Sequence, residues 1–311
     1  MLSNTKTKLY LLKKKIKKIP KPFQNNFWET NIDNLYYGHY HILKQYTKTI
    51  LPYKINGEVQ HGWSYGHGIA ANPFLHNKEE KLKRYYVINK YNKKKSIKYG
   101  YKNVVAIGAP FLYLPKNLYI NNNYKPKTLI LFPVHTSEHD GFHDTIDIHK
   151  RYIEDLKKIL PLFKSITVSL GWREYENKTI VNLFKHQGIS VVTMGYRDNN
   201  PNFLFNFIKC INKHEYVSSE SFSSAIFYSL IMRKKVFIYG RSLLINAKND
   251  PTLNEQYPYK FYSSLYPQLL WENYNDKSHY NIAEIELGLE FKRSPNELRK
   301  IFGWHLKNIF I

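Results

Sequence analysis

The feature that most constrains the fold of this chain is a regular alternation of short apolar runs and amphipathic segments between residues 128 and 239. The apolar runs have the length of buried β-strands, and the segments between them have helical periodicity. Strands that alternate with helices predict a doubly wound parallel sheet, whose right-handed crossovers bring the carboxyl ends of all strands to one edge. The predicted strands are 128–134, 165–170, 190–194, 216–218 and 235–239, and the predicted helices are 147–160, 177–186, 202–212 and 222–232.

A weaker form of the same alternation precedes this region. It predicts a helix over 41–51 and strands over 58–63, 84–89 and 104–107. The polar, proline-containing segment 121–127 has the composition of a linker, and 311 residues suffice for two domains. The predicted organisation is a basic segment (1–26), an N-terminal Rossmann-like lobe (27–120), the linker, a C-terminal Rossmann-like lobe (128–255) and closing helices (256–311) that pack back across the lobes.

The net charge of +23 favours anionic partners. Only 8 of the 47 basic residues are arginine, the residue on which readers of bases and phosphates depend, so we disfavour nucleic acid as the partner. The excess of lysine also fits the codon usage of an AT-rich genome. Residues 6–22 alternate lysine with leucine and isoleucine, which is typical of a segment at an anionic membrane or of an ordinary surface helix.

The single cysteine, Cys210, excludes an intramolecular disulfide and a cysteine-based zinc site. No run approaches the roughly 18–20 apolar residues that span a bilayer. Together these observations predict a cytoplasmic protein, soluble or peripheral at the inner face of the membrane.

A serine-rich turn, SSESFSS, lies between the fourth strand and the following helix of the C-terminal lobe. Hydroxyl groups and the free N–H groups of a helix N-terminus form an anion site that suits a phosphate or diphosphate. The alternative is that Ser221 or Ser223 merely caps the helix. Since one serine suffices for a cap, we favour phosphate binding. The serines concerned are Ser218, Ser219, Ser221, Ser223 and Ser224.

The loop after the first strand of this lobe, PVHTSEHDGFHD, is rich in histidine and carboxylates. Its histidines are spaced by four, as metal ligands on a helix would be, but Gly141 argues against a continuous helix, so we predict no metal. His135 and the nearby Ser137 are placed to contact a donor phosphate or a sugar hydroxyl. After the third strand, Arg197 either binds a phosphate or pairs with Asp198.

In the N-terminal lobe, HGWSYGHG places imidazoles beside glycines that let a backbone approach a ligand closely. His61 is a candidate general base or phosphate contact. Gly62, Trp63 and His67 are candidates for the acceptor side of a cleft, and an ordinary structural loop is the alternative. The sequence contains no Walker A loop, nucleophile elbow or RNA- or DNA-binding signature.

The order of these segments resembles GT-B-fold glycosyltransferases of bacterial capsule and lipopolysaccharide assembly over roughly residues 35–305. The motifs that carry the resemblance are EVQHGW, NVVAIGAPFLYLP, LILFPVHTSEHD, VVTMGYRD, YVSSESFSSAIFYSLIMRKKVFIYG and ELGLEFKRSPNELRKIFGW. The resemblance implies an α/β fold with two Rossmann-like lobes facing a central cleft. It also implies metal-independent transfer of a sugar from a nucleotide-sugar donor in the second lobe to a glycan or lipid-linked acceptor on the first.

The serine turn also looks like the donor-phosphate segment of sialyltransferase-like and CMP-sugar enzymes and of UDP-sugar epimerases. This likeness implies a CMP- or UDP-sugar as substrate, no cofactor, a donor phosphate held by the five serines and a ribose contact from Glu220. His61, Glu138 and Asp140 are then candidates for the catalytic base. A nucleotide-sugar epimerase and a non-catalytic protein that binds polyanions or nucleic acid remain as alternative functions.

Overall fold

The computed structural model describes residues 29–50, 54–63, 78–119, 124–134, 145–240, 257–275 and 277–304. These residues form an α/β protein with two parallel sheets. The strands are β1 Glu58–Val59, β2 Arg84–Val87, β3 Asn103–Ala106, β4 Thr128–Phe132, β5 Ser165–Leu170, β6 Ser190–Thr193, β7 Tyr216–Ser219 and β8 Lys235–Ile238. The α-helices are α1 Ile32–Leu35, α2 His39–Thr47, α3 Lys90–Lys98, α4 Lys116–Tyr119, α5 Thr145–Leu156, α6 Trp172–Glu176, α7 Lys178–Lys185, α8 Phe203–Ile211, α9 Ser224–Ile231, α10 Tyr257–Leu265, α11 Tyr280–Glu286 and α12 Pro295–Phe302.

The larger sheet confirms the predicted doubly wound topology. Its strands are all parallel in the order β6-β5-β4-β7-β8, so the first strand of this lobe lies between the second and the fourth. Strands β5 and β6 lie on one side of β4, and β7 and β8 lie on its other side, so the direction in which successive strands join the sheet reverses between β4 and β7. Ligands bind at such a switch point in open α/β sheets. Strand β4 ends at Phe132, before the predicted position 134, because Pro133 has no N–H group to give to the ladder.

The smaller sheet is parallel in the order β1-β2-β3. Strand β1 has two residues, so the predicted strand over 58–63 was too long. The side-chain amide of Gln60 ends this strand. Its Oε1 accepts a hydrogen bond from Ile88 N at 3.1 Å, and its Nε2 donates to Gly62 O at 2.8 Å. The side chain thus satisfies groups that a longer strand would have paired, and the chain leaves the sheet at His61.

The largest apolar cluster takes residues from both sheets and from the closing helices. Phe111 of the N-terminal half stacks on Tyr228 of α9, with ring centroids 4.3 Å apart and planes at 10°. Phe302 and Trp304, at the end of α12, pack edge-on against Tyr86 and Tyr40. The closing helices therefore contact the N-terminal half, and the two halves are joined by a common core.

Local sequence explains where several helices begin. The side chain of Asn89 accepts a hydrogen bond from Asn92 N ahead of α3, and Asn177 accepts one from Thr179 N ahead of α7. A capping box, in which Ser294 and Glu297 exchange side-chain and main-chain hydrogen bonds, is present at the start of α12.

The basic segment 1–26 and residues 121–123 of the predicted linker lie outside the described residues, and the predicted domain boundaries stay predictions. Among the helices of the described residues, none has the length and apolar character to cross a membrane.

Candidate functional site

The switch point of the larger sheet is closed by a buried carboxyl group. Glu220 follows β7, is 1% exposed and accepts a hydrogen bond through Oε2 from Val134 N, after β4, at 2.9 Å. Burial raises the pKa of Glu220 to about 7, against the opposing effects of the Val134 N–H and of Arg151. The carboxyl group of Glu220 therefore links the end of β4 to the end of β7, the two strands between which a ligand is expected.

Polar atoms without hydrogen-bond partners lie near Glu220, on the face of the larger sheet that packs against Tyr152 of α5. Ser218 is in register with Leu131 and Phe237, and these two residues belong to the apolar cluster that contains Tyr152. Among the described residues, Ser218 Oγ, Tyr152 Oη and Arg151 Nη2 are buried and have no hydrogen-bond partner. Leaving such a group unsatisfied costs about 1–3 kcal/mol, and Ser218 and Tyr152 are 0% exposed, so these two groups lie within the core of the larger sheet.

The serine turn does not act as an ordinary helix cap. Ser223 occupies the N-cap position of α9 with extended backbone angles, but its side chain makes no capping bond. Its Oγ is buried and has no hydrogen-bond partner within the described part of the chain. The capping alternative therefore does not account for Ser223.

The next serine joins the two halves of the molecule. Ser224 Oγ accepts a hydrogen bond from Trp63 N at 2.9 Å. A Cβ atom added to Gly62 would lie 2.9 Å from the same oxygen and 3.7 Å from Cε2 of Tyr37, so a larger residue at position 62 would have to displace the Ser224 hydroxyl. The HGW segment of the N-terminal half thus lies directly against the start of α9.

The indole of Trp63 is 6% exposed. Its Nε1 donates to Glu286 Oε2 at 2.6 Å, and the ring packs on Phe227 and Tyr262 with centroids 4.5 and 5.0 Å away. Tyr266 Oη donates to the other oxygen of Glu286 at 2.6 Å. The side chain of Trp63 is therefore part of the core, and its main chain faces the serine turn; its acceptor role stays a prediction.

His61 lies within a group of aromatic rings. Its ring centroid is 5.2 Å from that of Tyr36 and 5.9 Å from that of Tyr37, with the latter pair stacked at 27°. Beneath them His39 is fully buried, and neither of its ring nitrogens has a hydrogen-bond partner among the described residues. Burial, with His61 nearby, lowers the pKa of His39 to about 3, which makes it a neutral imidazole with unsatisfied hydrogen-bonding capacity.

A loop of the C-terminal half holds this aromatic group in place. Tyr37 N donates to Arg197 O at 2.6 Å, and Tyr37 has a φ of 54°, which is uncommon for a bulky residue and marks local strain. The Arg197 guanidinium lies 4.9 Å from the centroid of the Tyr36 ring, with Nε 3.3 Å from Asp198 Oδ1. The predicted pair with Asp198 is thus present, and a phosphate contact by Arg197 stays a prediction.

The structure therefore brings together the serine turn, Glu220 and the loop segment 61–63. The remaining predicted site residues, His67, His135, Ser137, Glu138 and Asp140, lie outside the described residues. Among those described, no group of three or more His, Cys, Asp or Glu side chains could hold a metal ion.

Sequence reasoning missed Tyr36, Tyr37 and His39. The available signal was the run YYGHYH at positions 36–41, in which a glycine divides two tyrosines from two histidines at the start of a helix.

A cavity of about 440 Å³ lies elsewhere, at the amino ends of β4 and β5. One wall is His214, whose ring nitrogens lie 2.9 Å from Cys210 O and 2.9 Å from Thr167 Oγ1. Substrates of α/β sheets bind at the carboxyl edge, and this histidine is already engaged, so the cavity is not the candidate site.

No family model matches this chain, and no curated protein matches it. Among solved structures, it is similar to the crystal structure of TarM at 11% identity, with a TM-score of 0.35. It is also similar to the structure of the wall teichoic acid polymerase TagF at 12% identity, with a TM-score of 0.30. Each comparison covers 70% of this chain, but only 42% of TarM and 58% of TagF.

Proposed function

We propose that this chain is a glycosyltransferase of bacterial surface polysaccharide assembly. It takes a sugar from a nucleotide-sugar donor, of the CMP or UDP class, and transfers it to a glycan or lipid-linked acceptor. The observation that carries the proposal is the Ser223 hydroxyl at the carboxyl edge of a doubly wound sheet: it holds the cap position of α9 without capping it. A phosphate group is the ligand that a helix N-terminus with free hydroxyl groups suits best.

The donor site would use groups on both sides of the switch point. The phosphates would accept hydrogen bonds from Ser223 and from the first N–H groups of α9, whose dipole favours negative charge. Ser218 and Glu220 belong to the same serine-rich turn, and in this proposal Glu220 would contact a ribose hydroxyl. These donors would stabilise the charge that develops on the departing nucleotide, and the net charge of +23 would attract the anionic donor.

The acceptor would approach from the N-terminal half. Among the residues that the structure describes, His61 is the candidate for the base that takes the proton of the acceptor hydroxyl, because it lies next to the Gly62–Ser224 contact. Neutral His39 and the strained Tyr37 would hold the imidazole plane in place. Glu138 and Asp140 remain the other candidates for this base.

A thermal-shift titration with CMP, UDP, GDP and ADP, each with and without Mg²⁺, tests the donor site. Saturation of a native-state site to about a hundred times Kd stabilises a protein by about 2.7 kcal/mol, which raises the melting temperature by several degrees. We expect one pyrimidine nucleotide to do this in the wild type and the shift to be lost in Ser223→Ala. Because Ser223 Oγ has no partner within the described residues, this variant should keep its fold.

The matched control is Ser229→Ala, on the same helix. Ser229 Oγ donates only locally, to Ala225 O at 2.6 Å, so this variant should show the full nucleotide shift. A wild type that responds to no nucleotide, or a Ser223→Ala variant that responds as the wild type does, would overturn the proposal.

A further inference from the structure

Helix α3 has an unusual distribution of side chains. Its sequence, KYNKKKSIK, contains five lysines and no acidic residue. The residues that it buries are the polar Asn92 and Ser96, whereas Tyr91 is 37% exposed and Ile97 is 52% exposed. An ordinary surface helix buries its apolar face and exposes its polar one, so the order is reversed in α3.

The outer face of α3 has a regular geometry. Lys90, Lys94 and Lys98 are spaced by four, so at about 100° per residue they form one stripe along the side away from Asn92. On the same helical wheel, Ile97 lies on one flank of this stripe and Tyr91 on the other. Like charges at this spacing destabilise a helix, and an anionic partner would remove that effect.

The turn before β2 lies next to the segment that follows α3, because Lys102 N donates to Lys81 O at 3.1 Å. Leu82 is 57% exposed and is joined to β3 because Asn103 Nδ2 donates to Leu82 O. Residues 78–102 contain ten lysines and arginines against Glu79 and Glu80. We define the α3 surface as Leu82, Lys90, Tyr91, Lys94, Ile97 and Lys98.

This surface is connected firmly to the rest of the molecule. Ser96 Oγ donates to Asn92 O at 2.9 Å within the helix. At its N-terminus, Asn89 Nδ2 donates to Glu286 O at 2.8 Å, and Glu286 also accepts from Trp63 Nε1. The α3 surface is thus fixed relative to the HGW segment.

We propose that the α3 surface docks the protein on an anionic lipid bilayer. Exposed apolar side chains flanking lysines match the boundary between lipid headgroups and acyl chains, where the apolar groups insert and the lysines contact anionic headgroups. A nucleic acid would use the lysines but would leave the exposed Ile97 and Leu82 without a role. This docking goes beyond the transferase reaction and does not require it.

Co-sedimentation of the full chain with vesicles tests the proposal. We expect binding to vesicles of phosphatidylcholine mixed with phosphatidylglycerol and none to phosphatidylcholine alone. Each lysine near an anionic surface contributes about a fivefold factor in affinity, so the triple variant Lys90→Gln/Lys94→Gln/Lys98→Gln should bind roughly a hundredfold more weakly. The double variant Leu82→Asn/Ile97→Asn should also lose vesicle binding, although its charge is unchanged.

The matched control removes three charges from the other half, at the exposed residues Lys158, Lys178 and Lys185. The variant Lys158→Gln/Lys178→Gln/Lys185→Gln should bind vesicles much as the wild type does. Equal losses in both triple variants would attribute binding to diffuse net charge and overturn the proposal. Unchanged binding in the α3 triple variant, or RNA binding that depends on the lysines but not on Ile97, would overturn it as well.

Discussion

At the scale of single residues, Glu220 shows how this fold uses a carboxyl group in an apolar place. The group holds the end of β4 against the end of β7, and burial raises its pKa to about 7. An unfolded chain would release this proton near pH 4.5. Between those two values the folded state therefore binds more protons than the unfolded state, and the contribution of Glu220 to stability falls as the pH rises through this window.

The variant Glu220→Gln should lose this pH dependence, because glutamine keeps the acceptor for Val134 N and carries no charge. Relative to the wild type, its free energy of unfolding should rise between pH 4.5 and 8, by on the order of 2–3 kcal/mol. Urea denaturation at a series of pH values measures the difference. Wild-type and variant curves that stay parallel across the window would contradict the assignment, and the exposed Glu272→Gln serves as the control.

The missed residues show why single positions were hard to predict from sequence. The serine turn stands out in the sequence because its composition is unusual. Tyr37 gains its significance from a contact with a loop some 160 positions away and from a positive φ that tyrosine rarely adopts, and His39 gains its significance from full burial next to the Tyr37 ring. None of these properties leaves a local pattern, so only the run YYGHYH could have drawn attention to them.

At the scale of elements, the 3₁₀ turn Tyr36–Gly38 docks on the loop after β6. Gly38 has a φ of 77°, and an added Cβ atom would lie 2.7 Å from Asn200 O and 3.0 Å from Cα of Pro201. Glycine is therefore required there both by the left-handed backbone and by the closeness of the opposing main chain.

Gly38→Ala and Gly188→Ala separate these two requirements. Gly188 has a similar φ of 73° but nothing within 4 Å of the added atom, so its substitution costs only the left-handed strain, about 1 kcal/mol. Gly38→Ala should lose a further 1–3 kcal/mol, roughly, because the clash forces the turn and the loop apart. Chemical denaturation measures both, and equal losses would show that the turn does not depend on this contact.

The elements also show what the sequence could and could not predict. The five strands of the larger sheet were predictable because each is an apolar run that ends in a polar turn. The true length of β1 was not predictable from the sequence. The side-chain amide of Gln60 makes hydrogen bonds that main-chain groups of a longer strand would make, and a glutamine within a strand pattern gives no signal of this role. The capping box at Ser294 was predictable because both of its bonds are local.

At the scale of the whole molecule, the largest apolar cluster belongs to both sheets. Two lobes that share a core are expected to unfold together, because neither can lose its structure without exposing the surface of the other.

We therefore expect a single unfolding transition. Far-ultraviolet circular dichroism and tryptophan fluorescence should report the same midpoint, and Phe111→Ala should shift both by the same amount. Loss of the buried ring should cost about 3–5 kcal/mol, since Phe111 stacks on Tyr228 across the halves. Two separated transitions in the wild type, or a shift in one probe alone, would show that the halves are independent.

The shared core also decides how a ligand can enter and leave. A hinge rotation of one sheet away from the other would separate Phe111 from Tyr228 and Trp63 from Phe227, at about 25 cal/mol for each Å² of apolar surface exposed. Large swings of the two halves are therefore costly, and exchange at the carboxyl edge has to proceed through small local movements around a rigid frame. A protein with this shared core would bind and release its ligand with little change in its radius of gyration.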